Sequence, residues 1–173
     1  NLAIAVLFFL CYSYQFFYIF VGLLPERPLQ RETVPHDYAV LICARNEENV
    51  IGDLLQSLHR QTYDRQRMMI FVMADNCTDG TARRARELGA TVYERSNRDQ
   101  VGKGYALELL LANIHRDYPM GFDGYFVFDA DNVLEPDYIE QMNRTFSEGY
   151  EIVTGYRNIK NYGDNWISAG YGL

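Results

Sequence analysis

Five short runs rich in β-branched and aromatic residues, separated by stretches with helical spacing, constrain this chain more than any other feature. They are Tyr38–Cys43, Met68–Ala74, Ala90–Glu94, Tyr125–Asp129 and Glu151–Thr154. Between the first two, Val50, Ile51, Leu54, Leu55 and Leu58 recur at the spacing of one helix face. Thr78 or Asp79 can cap a second helix, which runs to Leu88 and stops at Gly89. Ala106, Leu109, Leu110, Asn113 and Ile114 mark a third helix after Gly104, and Pro136 opens a fourth at its first position. Strands apolar on both faces that alternate with helices predict an α/β domain: a mostly parallel sheet covered by helices on both faces.

A different segment precedes this alternation. Leu2–Leu24 holds 23 residues without a charge, relieved only by Ser13, Gln15 and scattered tyrosines. As a helix it would be about 35 Å long, enough to cross a hydrocarbon core of about 30 Å. Pro25, Glu26, Arg27 and Pro28 end it. A cleaved signal peptide has a shorter apolar region after a basic start, and a buried core helix is the other alternative. The spanning reading is preferred, with Tyr12, Tyr14 and Tyr18 inside the span. Arg27 and Arg31 follow it closely, which by the positive-inside rule puts everything after Pro25 on the cytoplasmic side of the cell membrane. Residues 25–37, with three prolines and mixed charges, read as a linker.

Composition excludes several classes. With 48% apolar residues a sizeable core is available, and disorder is not the main content. Lys and Arg number 16 against 23 Asp and Glu, a net charge of −7, which argues against binding nucleic acid through a basic face. Cys11, Cys43 and Cys77 lie 32 and 34 residues apart, so neither a disulfide scaffold nor a zinc knuckle fits. His36, His59 and His115 are scattered and suggest no shared site.

The chemistry gathers where the strands end. In open parallel sheets ligands bind beyond the carboxyl ends of the strands. Here the first run is followed by Ala44-Arg45-Asn46-Glu47, the second by Asp75, and the fourth ends in Asp129-Ala130-Asp131-Asn132. Carboxylates converging on one edge repel unless a cation or a donor-rich ligand sits among them. Asp129 and Asp131, at the end of what reads as a buried strand, are hard oxygen ligands suited to Mg2+ or Mn2+ shared with phosphate oxygens; the plain alternative is a solvated turn. Asp75 is either a helix-entry residue in an Asx turn or a carboxylate accepting from a base or sugar, and the two are compatible. Lys103, between Gly102 and Gly104 before a helix, could approach a phosphate or simply belong to a turn. It is no Walker A lysine, because position 97 is Asn and Gly104 stands where Ser or Thr is needed.

These segments carry a resemblance. Ala44-Arg-Asn-Glu47, Asp75-Asn-Cys-Thr-Asp-Gly-Thr81, Gly102-Lys-Gly-Tyr-Ala-Leu107 and Asp129-Ala-Asp131 stand in the order seen in family 2 glycosyltransferases. The preceding apolar helix resembles the membrane-bound polysaccharide-synthase branch. The resemblance implies an α/β, Rossmann-like GT-A domain with a mostly parallel sheet, preceded by one transmembrane helix. Residues 1–24 would be that helix, 25–37 the linker, and 38–173 the N-terminal part of the domain. By the same resemblance Ala44, Arg45, Asn46 and Glu47 line a nucleotide, Asp75 contacts uracil, Lys103 lies near the diphosphate, and Asp129 and Asp131 hold Mg2+ or Mn2+. The implied partners are a nucleotide-sugar donor, a glycan or lipid-linked acceptor and the lipid bilayer. The implied reaction is transfer with inversion, a base deprotonating the acceptor hydroxyl.

The pattern departs from the family in places. Arg45 stands where an aromatic often precedes Asn-Glu, and Ala74 where a first Asp is common. The family's catalytic base is a later Asp, often in a Glu-Asp pair, and processive members add Gln-x-x-Arg-Trp; neither motif occurs in the 42 residues after Asp131. The expectation is therefore an incomplete GT-A domain, inactive by itself, with its base beyond Leu173. Two alternatives remain at this point. Asp129-x-Asp131 after an apolar run also fits the nucleophile strand of haloacid-dehalogenase phosphatases, and a nucleotide-sugar binder without turnover would carry the same donor motifs.

Overall fold

The computed structural model describes residues 1–24 and 31–155. It divides into two units, Asn1–Gln30 and Arg31–Leu173. The residues read as ending the apolar helix (Pro25 to Pro28) lie outside the described residues.

In the first unit, α1 (Leu2–Tyr12) and α2 (Tyr14–Gly22) follow each other with only Ser13 between them. Ser13 keeps helical dihedrals, φ −59° and ψ −26°. Its hydroxyl donates to the Leu10 carbonyl at 2.8 Å, while its own amide reaches the same carbonyl at 3.4 Å. This back-bonding loosens one turn, so the single helix expected from the sequence is two segments in line. Together Leu2–Gly22 makes 21 residues with mean hydropathy 2.0, long and apolar enough to cross a membrane. Leu23 and Leu24 close it in a turn.

Among the described residues the second unit has four parallel strands, β1 (Tyr38–Ala44), β2 (Met68–Asp75), β3 (Thr91–Arg95) and β4 (Gly124–Asp129), in the order β3-β2-β1-β4. β1 and β2 sit centrally, which explains their unbroken apolar sequence: Ala39, Val40, Leu41, Ile42, Phe71, Val72 and Met73 are all fully buried. Alternate residues face opposite sides. Val40, Ile42, Ala44, Ile70 and Val72 pack with Ile51, Leu54, Leu55 and Leu58 of α3 (Ile51–His59), Ala85 of α4 (Thr81–Glu87) and Ile139 of α6 (Tyr138–Ser147). Ala39, Leu41, Phe71 and Met73 pack against Ala106, Leu110 and Ile114 of α5 (Lys103–Asp117). Helices thus cover both faces, the α/β architecture expected of a GT-A domain. Leu55→Ala, which empties part of the first cluster, is expected to cost about 2–5 kcal/mol, read as a lower urea midpoint of the chain in detergent.

The chain runs from β1 outward to β3 and then returns through α5 to place β4 on the other side of β1. The order therefore reverses between β1 and β4, and that is where open α/β sheets form their ligand crevice.

Four details differ from the sequence expectations. β4 is an edge strand among the described residues, and Tyr125 and Val127 remain 40% and 39% exposed, so Asp129 does not end a buried strand. Glu151–Thr154 is not a strand: it runs beside β4 along a groove without joining the ladder, and Ile152 is 87% exposed. The buried stripe of α5 is Ala106, Leu110 and Ile114, flanked by the half-buried Leu107 and Leu111, whereas Leu109 turns outward. Pro136 precedes α6 by two residues, its carbonyl accepting from the Thr62 amide at 2.8 Å.

The approach to β1 is fastened to α6. The Asn143 side chain is buried; its Oδ1 accepts from the Tyr38 hydroxyl at 2.8 Å and lies 3.0 Å from His36 Nδ1, and its Nδ2 donates to the Val34 carbonyl at 2.9 Å. Tyr63 closes the cluster, taking the His36 amide at 2.8 Å. His36 is thus a packing residue at the sheet end opposite to the strands' carboxyl ends.

Candidate functional site at the carboxyl edge of the sheet

Strand register places the charged residues. Asp75 pairs with Arg95, Cys43 with both Met73 and Asp129. Met73 and Cys43 belong to the α5 face, so Asp75, Arg95 and Asp129, which keep the same parity, lie on that face too. Lys103 begins α5 itself. Strands are about 4.8 Å apart, so the backbones carrying Asp75 and Asp129, two strands apart, are separated by roughly 10 Å across the sheet.

Asp75 is held by a residue the sequence reading passed over. Arg95 Nη1 donates to Asp75 Oδ1 at 2.7 Å, with side chains only 5% and 7% exposed. Arg95 Nη2 reaches onward to the Gln100 carbonyl at 2.5 Å. Asn76, in the left-handed region at φ 53°, donates to Asp75 Oδ1 at 2.9 Å and to the Asn97 carbonyl at 3.0 Å. The Asn97 amide returns to Asn76 Oδ1 at 2.8 Å, and the Asn97 side chain takes the Asp99 and Gln100 amides. The loop between β3 and α5 is therefore tied to the Asp75 end of β2. Among the described residues Asp75 Oδ2 makes no hydrogen bond, and it is not a sealed, unsatisfied atom. One oxygen is anchored and the other is available to a donor.

The Ala44–Glu47 turn serves the second motif. Ala44 is buried, and its carbonyl accepts from Cys77 Sγ at 3.4 Å. Asn46, at φ 57°, a region asparagine tolerates better than most residues, accepts from the Thr78 amide at 2.8 Å. The Glu47 amide donates to Thr81 Oγ1 at 2.9 Å. Asp79 rather than Thr78 supports the start of α4: its Oδ1 takes the Thr81 amide at 3.0 Å and hydroxyl at 2.5 Å. Those bonds, the Thr81 hydroxyl first, hold the Asp79 carboxyl below its ordinary range. Arg45 is exposed beside this clamp.

Across the crevice, Lys103 Nζ is ion-paired with Asp129 Oδ1, both side chains about half exposed. Gly102 precedes α5 at φ 135°, a conformation open to glycine, and the helix has no side-chain cap, so its first-turn amides lack an intrahelical partner beside the lysine. Asn132 links the two acidic residues: its Oδ1 accepts from the Asp129 amide at 3.2 Å and its Nδ2 donates to Asp131 Oδ1 at 3.3 Å. Cys43 faces the same crevice. Burial, opposed by Lys103 and assisted by Asp75 and Asp129, pushes its thiol up to about 11.

No group of three or more metal-ligating side chains occurs among the described residues. Asp129 and Asp131 thus do not make an all-protein cage. Two carboxylates fit a Mg2+- or Mn2+-type ion that completes its shell with phosphate oxygens and water. The described crevice combines an anchored acceptor, a lysine at a helix start and a carboxylate pair, features of a phosphate-bearing ligand site on a doubly wound sheet.

Residues 35–173 match the model of the glycosyltransferase-like family 2. The chain belongs to that family. A dolichyl-phosphate hexose transferase of Haloferax volcanii is 30% identical over 124 residues, 72% of this chain and 49% of that protein. A 4,4'-diaponeurosporenoate glycosyltransferase of Staphylococcus haemolyticus is 35% identical over 101 residues, 56% of this chain and 26% of that protein. The chain thus spans about half, or less, of these relatives' lengths. Among solved structures, a mannosyltransferase from Pyrobaculum calidifontis in complex with GDP-Man and Mn2+ superposes with a TM-score of 0.58 at 17% identity, covering 80% of this chain and 41% of that one. Residues 1–349 of S. aureus TarS in complex with UDP give 0.54 at 16% identity, with 72% and 39% covered. These likenesses establish the GT-A fold. The family leaves the phosphatase alternative without support.

Proposed function

We propose that this chain carries the donor-binding part of a membrane-anchored glycosyltransferase that takes a sugar from a UDP-sugar with Mg2+ or Mn2+. What supports the reading is the difference between two ends of the sheet's carboxyl edge. At one end Arg95 fixes Asp75 with one oxygen in use and one to offer, suited to the imide N–H of uracil. At the other, Lys103 and the α5 start suit a diphosphate, beside the carboxylates that would share its metal. Asp131, with Asp129 beside it, would hold the ion. When bound, the ion supplies neutralisation of the charge that grows on the leaving diphosphate. Ala44–Glu47 would line the nucleotide chiefly by fixing the Asp75–Thr81 segment.

Transfer with inversion, by a base outside residues 1–173, belongs to the same proposal; the 173-residue chain is then expected to bind donor without transferring sugar. Leu2–Gly22 would span the bilayer, with Arg27 and Arg31 favouring a cytoplasmic catalytic side. The names of the two relatives favour a lipid-linked acceptor over polysaccharide extension. Calorimetry of the detergent-solubilised chain with UDP and Mn2+ tests the donor site. Asp75→Ala is expected to weaken UDP by about 1–3 kcal/mol, the size of a charge-assisted hydrogen bond. Equal affinity in wild type and variant, or tighter GDP than UDP, would remove uracil recognition by Asp75.

A further inference from the structure

Lys103 and the proposed divalent ion want the same oxygen atoms. The Lys103 ammonium sits on Asp129 Oδ1, and Asp129 is one of the two carboxylates suited to the ion. Lys103 is also the first residue of a 15-residue helix, next to first-turn amides that have no intrahelical partner. A cation there opposes the positive end of the helix dipole, so the lysine needs a negative neighbour, and among the described residues Asp129 supplies it. A diphosphate entering at the α5 start would give Lys103 a second anionic partner. Asp129 could then exchange an ammonium for a divalent ion.

We propose that Lys103 is an exchange residue: it competes with the divalent ion for Asp129, and passes to the diphosphate when the nucleotide arrives, so that metal and nucleotide load together rather than metal first. The proposal rests on the donor-site reading above and adds an order of binding to it. Lys103 acts through Asp129, which makes it a positioning residue. Asn132 serves the exchange by keeping the backbone at Asp129 and the Asp131 carboxylate in one frame while the lysine leaves. The side chains of Lys103 and Asp129 are 47% and 45% exposed, so an ion and a phosphate can reach both from solvent.

The test is Mn2+ binding followed by the electron paramagnetic resonance of free Mn2+, on the full chain in detergent, with and without UDP. Without nucleotide, Lys103→Met is expected to bind Mn2+ about two- to fivefold more tightly than wild type, the range set by losing a half-exposed ion pair. Lys103→Arg, which keeps the competing charge, is expected to match wild type. With UDP present, Lys103→Met is expected to lose nucleotide affinity, so the gain in metal binding and the loss in UDP binding run in opposite directions. A lysine that only contacted phosphate would leave metal-alone binding unchanged. That result, with Mn2+ and UDP still binding together, overturns the exchange and leaves the donor site standing. Failure of every form to bind Mn2+ even with UDP overturns both. Circular dichroism of Lys103→Arg and Lys103→Met confirms that each comparison is made on folded chain.

Discussion

Arg95→Met is expected to destabilise the domain by about 3–5 kcal/mol, because it strips the cation from a carboxylate that stays buried. Asp75 is only 7% exposed on its side chain and has Arg95 as its ion-pair partner at 2.7 Å. The same substitution releases the Gln100 carbonyl, and with it the loop that leads into Lys103. The double variant Arg95→Met/Asp75→Leu removes both charges and is expected to recover most of the lost stability while weakening UDP binding at least as much as Asp75→Ala. Urea unfolding reads the first effect and calorimetry the second. A stable Arg95→Met chain would mean that the pair is not the anchor described.

Asp131→Asn is expected to remove divalent-dependent sugar transfer in the complete enzyme, by about 10²-fold or more, since a metal at the leaving diphosphate contributes several kcal/mol. Asp131 is exposed and its only described side-chain bond is the 3.3 Å contact from Asn132, so the fold should be untouched. Unaltered transfer with a chelator present would dismiss the metal assignment.

The layout of the sheet was legible because β1 and β2 are buried on both faces and so write continuous apolar runs, each stopping at the polar edge where ligands bind. Asp75, which ends β2, could be singled out on that ground alone; Asp129 was found by the same reasoning applied to β4, which is an edge strand among the described residues. Arg95 could not. Its importance comes from lying opposite Asp75 across β2 and β3, and register between strands 20 residues apart is a tertiary fact. A charged residue closing a third strand, opposite in sign to one closing the second, was the available signal. β4 misled for a related reason: Tyr-Phe-Val-Phe reads as a central strand, yet its α5 face is only partly covered. Glu151–Thr154 has strand-forming residues but no ladder partner, and β-propensity without pairing does not make a strand. The His36–Asn143 contact joins residues 107 apart, which no local pattern encodes.

The two ends of the crevice also explain why single motifs carried so little. Asn46 and Glu47 also have structural partners in the fold: Asn46 Oδ1 accepts from the Thr78 amide and the Glu47 amide donates to Thr81 Oγ1. They shape the turn that presents Asp75. Gly102 matters through its φ of 135°, which starts α5 where Lys103 reaches Asp129.

The most direct test of the donor-site account is photolabelling of the detergent-solubilised chain with a 5-azido-UDP-sugar in Mn2+, followed by peptide mapping. The account predicts label confined to the segment from Asp75 to Tyr105, abolished by excess UDP and reduced in Asp75→Ala. Label spread over other surfaces, or label that excess UDP leaves unchanged, would contradict it.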